Sequence, residues 1–392
     1  MARVAMNEHG VSPEWALLLA ASRGDPERDL VRRLMTARLD WSRLTRLAVN
    51  AHATPGLWQV VSSFPDLPDD AGRLQALATL NDFRRYQIRS LVRRVTDQLR
   101  REGVEVLALK GAAILVGGVE NPTPRTMSDI DLLVLSGSPE HAWNVCRASG
   151  WTLVNDAWTE NLYRTHHHLA PLLDPDGVKV GLELHRTLMS GVGRLGLDTA
   201  AVVARARTVN VRDVPVLVPS LEDLLLHTCL HFAWSNKLRR GAWRAFADAH
   251  SVILDPGFSW DRFLAIASTR RMRQSCYWTL RVGRMVADLS VPDEVLLALD
   301  PTSGGRLAGL LERHFAFELS DPEDVGVAQR ARRWLWFAAM QESSRSREAD
   351  DLWNEGAVEI PGEGNATPRP HRSGFRAAVE TWGYFARLLG RE

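Results

Sequence analysis

The feature that most constrains this chain is a double change of hydrophobic rhythm, first near residue 102 and again near residue 216. Up to Arg101, apolar residues recur at three-to-four spacing in WALLLAAS, DLVRRLMTARL, WSRLTRLAVNAHA and a long stretch from Asp70, a pattern that predicts helices. Between Val104 and Thr187 short β-like runs take over: VEVLAL, DIDLLVL, WTLV, LYRTHHHLAPLL and KVGLELHRT, with helices predicted at 111–118 and 139–149. From Ser220 the helical spacing returns in LEDLLLHTCLHFAW, GAWRAFADAHSVIL, FLAIAS and DEVLLAL. Strands gathered between two helical stretches predict an α+β fold with a small mixed β-sheet, flanked by N-terminal and C-terminal helical regions. The expected organisation is an N-terminal helical region (1–101), an α+β core (102–215), a C-terminal helical domain (216–340), a mobile linker (341–374) and a terminal helix (375–392). A length of 392 residues agrees with several units, since single cores stop growing near ~250–300 residues.

Composition narrows the class. Hydrophobic residues make up 45% and charged residues 24%, which excludes wholesale disorder, a collagen-like rod and a disulfide scaffold. Lys plus Arg number 48 against 47 Asp plus Glu, so no global field draws the chain to nucleic acid or an anionic membrane. Lysine occurs only at 110, 179 and 237, which singles out each of these positions. Cys146, Cys229 and Cys276 are odd in number and far apart, as expected of reduced thiols. No apolar run reaches the ~18 residues of a membrane span and the N-terminus lacks a signal-peptide pattern, so the expected location is the cytoplasm.

The chemistry concentrates in residues 109–135, LKGAAILVGGVENPTPRTMSDIDLLVL. In a strand, Asp129 and Asp131 face the same way, ~6–7 Å apart at the backbone, and their tips can converge on a hard cation. Solvated Asp caps on a strand entered from a turn would look the same, so the neighbours matter. Lys110-Gly111 ends a strand and begins a helix, where amides at the helix N-terminus form a natural phosphate site. In KVGLELHRT, alternation puts Leu182 and Leu184 on one face and Glu183 with His185 on the other, so a later strand can turn a third carboxylate toward the Asp pair. Three carboxylates on adjacent strands are costly unless metal neutralises them.

LKG, then Arg125 ahead of Ser128-Asp-Ile-Asp, then a strand ending LELH, resembles the nucleotidyltransferase superfamily that includes DNA polymerase beta and kanamycin nucleotidyltransferase, and within it the uncharacterised bacterial nucleotidyltransferase branch. The likeness extends to LDWSRLTRLAVNAHATPGLW before the core and PSLEDLLLHTCLHFAW after it, covering about residues 12–255. It implies a minimal nucleotidyltransferase core at 102–215. It further implies that Asp129 and Asp131 are paired metal ligands, that Glu183 is the third carboxylate, ligating metal or acting as base, and that Gly111 is the phosphate-loop glycine. Lys110, Gly111, Arg125, Ser128 and His185 form the expected nucleotide-binding set. One departure stands out: the superfamily's common Gly-Ser pair is here Lys110-Gly111, as in the uncharacterised branch. The implied cofactors are two Mg²⁺ ions. The implied donor is a nucleoside triphosphate, with ATP expected, and the acceptor is a hydroxyl on a small molecule or on a peptide or protein. Alternatives are a nucleotide-binding regulatory module without turnover and a metal-dependent phosphohydrolase.

Other signals carry less. GVGRLG at 191–196 matches Gly-x-Gly-x-x-Gly but lacks the surrounding βαβ pattern of a dinucleotide site. In a strand, His166 and His168 would share a face and could approach the phosphates. His227 and His231, four apart on a helix, are expected under the core or lining a cleft, His231 more than His227. Residues 237–284 hold ten basic side chains, Lys237, Arg240 and Arg244 among them, against three Asp, an excess able to steer a triphosphate. With no aromatic-glycine RNA signature, nucleic acid is not the expected partner. Trp234, Trp243, Trp260 and Trp278 are expected in the core. Asp248, in WRAFADAH, lies in a helix that resembles a helical appendage of the same branch, and its role is left open.

Overall fold

The computed structural model describes residues 12–24, 26–36, 38–65, 67–154, 163, 166–300, 306–320, 329–341 and 353. The helical rhythm of the first hundred residues becomes α1 (Pro13–Ala21), α2 (Arg28–Thr36), α3 (Trp41–Asn50), α4 (Thr54–Val61) and the 30-residue α5 (Gly72–Arg101). Ser12 and Asp40 cap α1 and α3 through side-chain oxygens that accept from Trp15 N–H and Arg43 N–H, satisfying amides that would otherwise be orphaned. Helix α4 is absent from the sequence reading; its Pro55 falls in the first turn, where a missing N–H costs nothing.

The core follows as β1 (Val106–Ala108), α6 (Lys110–Ala113) with a π-helical turn over Ile114–Gly118, β2 (Asp129–Val134), α7 (Pro139–Ala148), β3 (Thr152–Leu153), β4 (Leu172–Leu173) and β5 (Gly181–His185). After α8 (Val192–Leu195) and α9 (Thr199–Ala204) comes a hairpin of β6 (Arg207–Val211) and β7 (Val214–Val218), which the sequence reading did not identify. Its two-residue loop holds Arg212 and Asp213 at φ 46° and 66°, the left-handed pair that matches strand twist in a tight hairpin. Among the described residues the sheet has the order β3-β4-β5-β2-β1-β7-β6. β2 runs parallel to β5 and antiparallel to β1, while β1 runs parallel to β7, so the sheet is mixed and the fold α+β, as expected.

The C-terminal helices are α10 (Leu221–Leu230) with a π-helical turn over His231–Ser235, α11 (Ala242–Ile253), α12 (Trp260–Ile266), α13 (Arg270–Ala287), α14 (Asp293–Leu299), α15 (Arg306–Ser320) and α16 (Gln329–Met340). Trp243, Trp278 and Trp336 are fully buried among them, and Trp234 is buried as well, whereas Trp260 is half-buried. The indole N–H of Trp278 donates to the Ala339 carbonyl at 3.0 Å and that of Trp336 to Ala233 at 2.8 Å, so these two indoles are buried without stranding a donor, whereas Trp243 Nε1 is buried with no hydrogen-bond partner among the described residues. The expected linker at 341–374 and terminal helix at 375–392 lie outside the described residues except for Gln341 and Trp353. Among the described residues, no helix is long and apolar enough to cross a membrane.

Candidate active site

The register of β2 against β5 assembles the acidic face. Asp129 pairs with Gly181, Asp131 with Glu183 and Leu133 with His185, so the period of two sends Asp129, Asp131, Glu183 and His185 to one side of the sheet. Ile130, Leu132, Leu182 and Leu184 point to the other and are fully buried, which fixes the register, because a slip of one residue would bury the charges instead.

On the acidic face His185 Nε2 lies 3.0 Å from Asp131 Oδ1 and 3.6 Å from Glu183 Oε2. Lys110 Nζ donates to the same Asp131 Oδ1 at 2.7 Å. Lys110 reaches it from an unusual backbone, φ 46° at the strand-to-helix junction, while the neighbouring Leu109 N–H donates to the Asp131 carbonyl at 3.0 Å. Burial opposes ionisation of Asp131, but Lys110 and the His185 hydrogen bond outweigh it, and the carboxyl sits well below its ordinary range. Burial likewise works against a charged His185, yet hydrogen bonds to Asp131 and Glu183 raise its pKa, and Glu183 is lowered chiefly by His185 against its own burial. Asp129 goes the other way: burial, then repulsion from Asp131 and Glu183, raises its pKa, with Lys110 and Arg244 only partly offsetting this. Asp131, Glu183 and His185 can each offer one ligand atom within 4.8 Å of the others, and Asp129 lines the same cleft one pleat away.

Arg125 crosses from the segment before β2 to Asp248 on α11, where its guanidinium makes a buried ion pair. A Cβ on Gly111 would overlap Arg125 Nη2 and lie 3.0 Å from its Cζ, so glycine is required beneath the guanidinium. Burial lowers the Arg125 pKa and raises that of Asp248, each opposed by the other's charge.

These groups border a cleft of about 610 Å³ between the sheet and the C-terminal helices. Lys110, Arg125, Asp129, Asp131 and Glu183 line the sheet side, and His227, His231, Lys237, Arg240, Arg244 and Asp248 the helical side. That volume suits a ligand of nucleotide size. Both His227 and His231 face it, and burial pushes His227 down to about 3.

A family model described as uncharacterised nucleotidyltransferase matches residues 37–287. The chain belongs to this nucleotidyltransferase family. The match ends at the last residue of α13 and takes in the whole sheet and every cleft residue named above, so the enzyme's transferase class rests on the part of the chain that builds the cleft. No curated protein matches the chain.

Within this nucleotidyltransferase the sequence-predicted residues separate into two groups. Lys110, Arg125, Asp129, Asp131 and Glu183 converge on the cleft, and His185 backs Asp131 from the buried side. Gly111 is the floor under Arg125 and is not among the lining residues. Ser128 is exposed and is not among them either; its carbonyl accepts from Gly181 N–H at 2.9 Å, tying β2 to β5. Of the run expected as a strand over 162–173, the described residues form one only at β4, and His166 and His167 sit in a bend, with an isolated bridge from His168 to His185. His168 nevertheless reaches the site, its Nε2 3.6 Å from Glu183 Oε2. Sequence reasoning did not find the link from Asp248 to Arg125, two residues 123 positions apart. The one available signal was that WRAFADAH places an acid on an otherwise apolar helix face, since Ala245, Phe246, Ala249 and Val252 of α11 are buried.

Proposed function

We propose that the enzyme moves a nucleoside monophosphate from a nucleoside triphosphate, with ATP the expected donor, to a hydroxyl of a small molecule or of a peptide or protein, releasing pyrophosphate. The observation that carries this is the acidic face of the sheet: Asp129, Asp131 and Glu183 share it, and the nearest cationic groups, Lys110 and His185, both make their hydrogen bonds to Asp131. Burial, then repulsion from Asp131 and Glu183, raises the Asp129 pKa beyond what Lys110 and Arg244 offset, and an all-oxygen donor pair with Glu183 beside it suits a hard divalent ion. Asp129, Asp131 and Glu183 would hold two Mg²⁺ ions, with His185 orienting Asp131. When bound, Mg²⁺ would neutralise phosphate charge and lower the pKa of the attacking hydroxyl.

The chain's own groups supply the rest. Lys110, Arg125 and Arg244 present positive charge to the triphosphate from three directions, and Lys237 and Arg240 extend that field along the helical wall. Glu183, with its pKa lowered, is ionised at neutral pH and can accept the acceptor hydroxyl's proton. The acceptor would enter between the sheet and α10–α11, whose residues line the cleft from the two sides. The sequence resemblance to the superfamily of DNA polymerase beta and kanamycin nucleotidyltransferase supports the same assignment.

Incubation with each α-labelled triphosphate and panels of hydroxyl-bearing small molecules, peptides and proteins tests the reading. Acceptor-dependent pyrophosphate release with label on the acceptor is the expected result. Pyrophosphate with no transferred nucleotide would point to the phosphohydrolase, and tight binding without turnover to the regulatory module.

A further inference from the structure

His166, His167 and His168 form a cluster that the transfer chemistry does not use. Their ring centroids lie 4.1, 4.2 and 4.7 Å apart, and each can offer one ring nitrogen within 4.8 Å of the others. His168 Nδ1 is 2.7 Å from the Leu169 carbonyl, which can only accept, so Nδ1 carries the proton and Nε2 holds a lone pair. That is the arrangement by which outer hydrogen bonds orient a metal-ligating imidazole. His167 Nδ1 lies 3.2 Å from Ser190 Oγ, a hydroxyl able to donate or accept, which orients the ring. Among the described residues His166 has both ring nitrogens buried without a hydrogen-bond partner, which is costly unless something else satisfies them.

We propose that His166, His167 and His168 bind one borderline divalent cation of the Zn²⁺ class, beside the carboxylate site, where His168 Nε2 lies 3.6 Å from Glu183 Oε2. Three imidazoles select such an ion over Mg²⁺, which prefers oxygen. Tetrahedral Zn–N bonds of ~2.0–2.1 Å place ligand nitrogens ~3.4 Å apart, so the rings would draw together by side-chain rotation. All three line the cleft, and a three-ligand ion keeps a coordination position open toward it. The inference does not rest on nucleotide transfer: a chain that never turns over a triphosphate would still bind the ion.

The test uses the full chain and Zn²⁺ alone in Mg²⁺-free buffer. Calorimetry should give one ion per chain, with His166→Ala and His168→Ala each weakening binding at least ~10-fold and Asp129→Asn leaving it unchanged. X-ray absorption at the zinc edge of the unaltered protein should report three imidazole ligands, a measurement independent of whether the variants fold. Absence of zinc binding, fewer than three imidazoles, or an affinity set by Asp129 and unaffected by the folded histidine variants would overturn the proposal.

Discussion

Gly111→Ala probes how the phosphate side of the cleft is built. The added methyl would overlap Arg125 Nη2, lie 3.0 Å from Arg125 Cζ and reach Met127 Cε at 3.4 Å. Arg125 cannot yield freely, because its guanidinium is buried and paired with Asp248 across 123 residues of chain. Forcing a methyl into a packed site costs about 1–3 kcal/mol, and separating a buried ion pair costs about 3–5 kcal/mol if the pair breaks outright. Against this, alanine is about 1 kcal/mol better than glycine in a helix. The expected net destabilisation is about 0–2 kcal/mol if the pair holds and about 2–4 kcal/mol if it breaks, read from the urea midpoint by circular dichroism. In an Arg125→Ala/Asp248→Asn background the overlap is gone, so the same substitution should be neutral or stabilising by up to about 1 kcal/mol. Equal destabilisation in both backgrounds would refute the idea that Gly111 exists to seat Arg125.

Three further outcomes are expected. Lys110→Met leaves the buried Asp131 with His185 as its remaining cationic partner, and should cost about 3–5 kcal/mol, part of which millimolar Mg²⁺ should restore in thermal melts. His227 has a folded pKa of about 3 against an ordinary 6.5. Because that folded value is depressed, the neutral ring's stability is fully present above pH 6.5 and is lost as pH falls toward 3, by at most about 5 kcal/mol. Urea titrations at pH 7, 5 and 4 should show His227→Gln losing less stability than the natural chain over that window. Asp129→Asn removes a carboxylate that burial and its neighbours disfavour, so it should leave the melting temperature unchanged or raise it while abolishing transfer.

The acidic face was legible because alternation is local: DIDLLV and GLELH each declare which residues are buried, and one parallel register joins them. The flanking helices were legible for the same reason, through three-to-four spacing. What escaped depends on distance or on weak alternation. Arg207–Val211 is largely exposed and Val214–Val218 contains Pro215, so neither strand of the hairpin announces itself, although β7 supplies the parallel neighbour of β1. The Arg125–Asp248 pair forms only when α11 packs against the core. Among the described residues His166 and His167 fall outside the expected strand: β4 is confined to Leu172–Leu173, and of the three histidines His168 alone bridges to β5. The basic residues of 237–284 were counted as a field, and the fold turns Lys237, Arg240 and Arg244 of that field into the cleft.

The most direct measurement is calorimetric titration of each nucleoside triphosphate into the full chain with and without Mg²⁺, beside Asp129→Asn. Micromolar binding of one triphosphate that requires Mg²⁺ and disappears in the folded variant is the predicted result. Binding that ignores Mg²⁺, or that survives the loss of Asp129, would contradict a metal-nucleotide site on the face shared by β2 and β5.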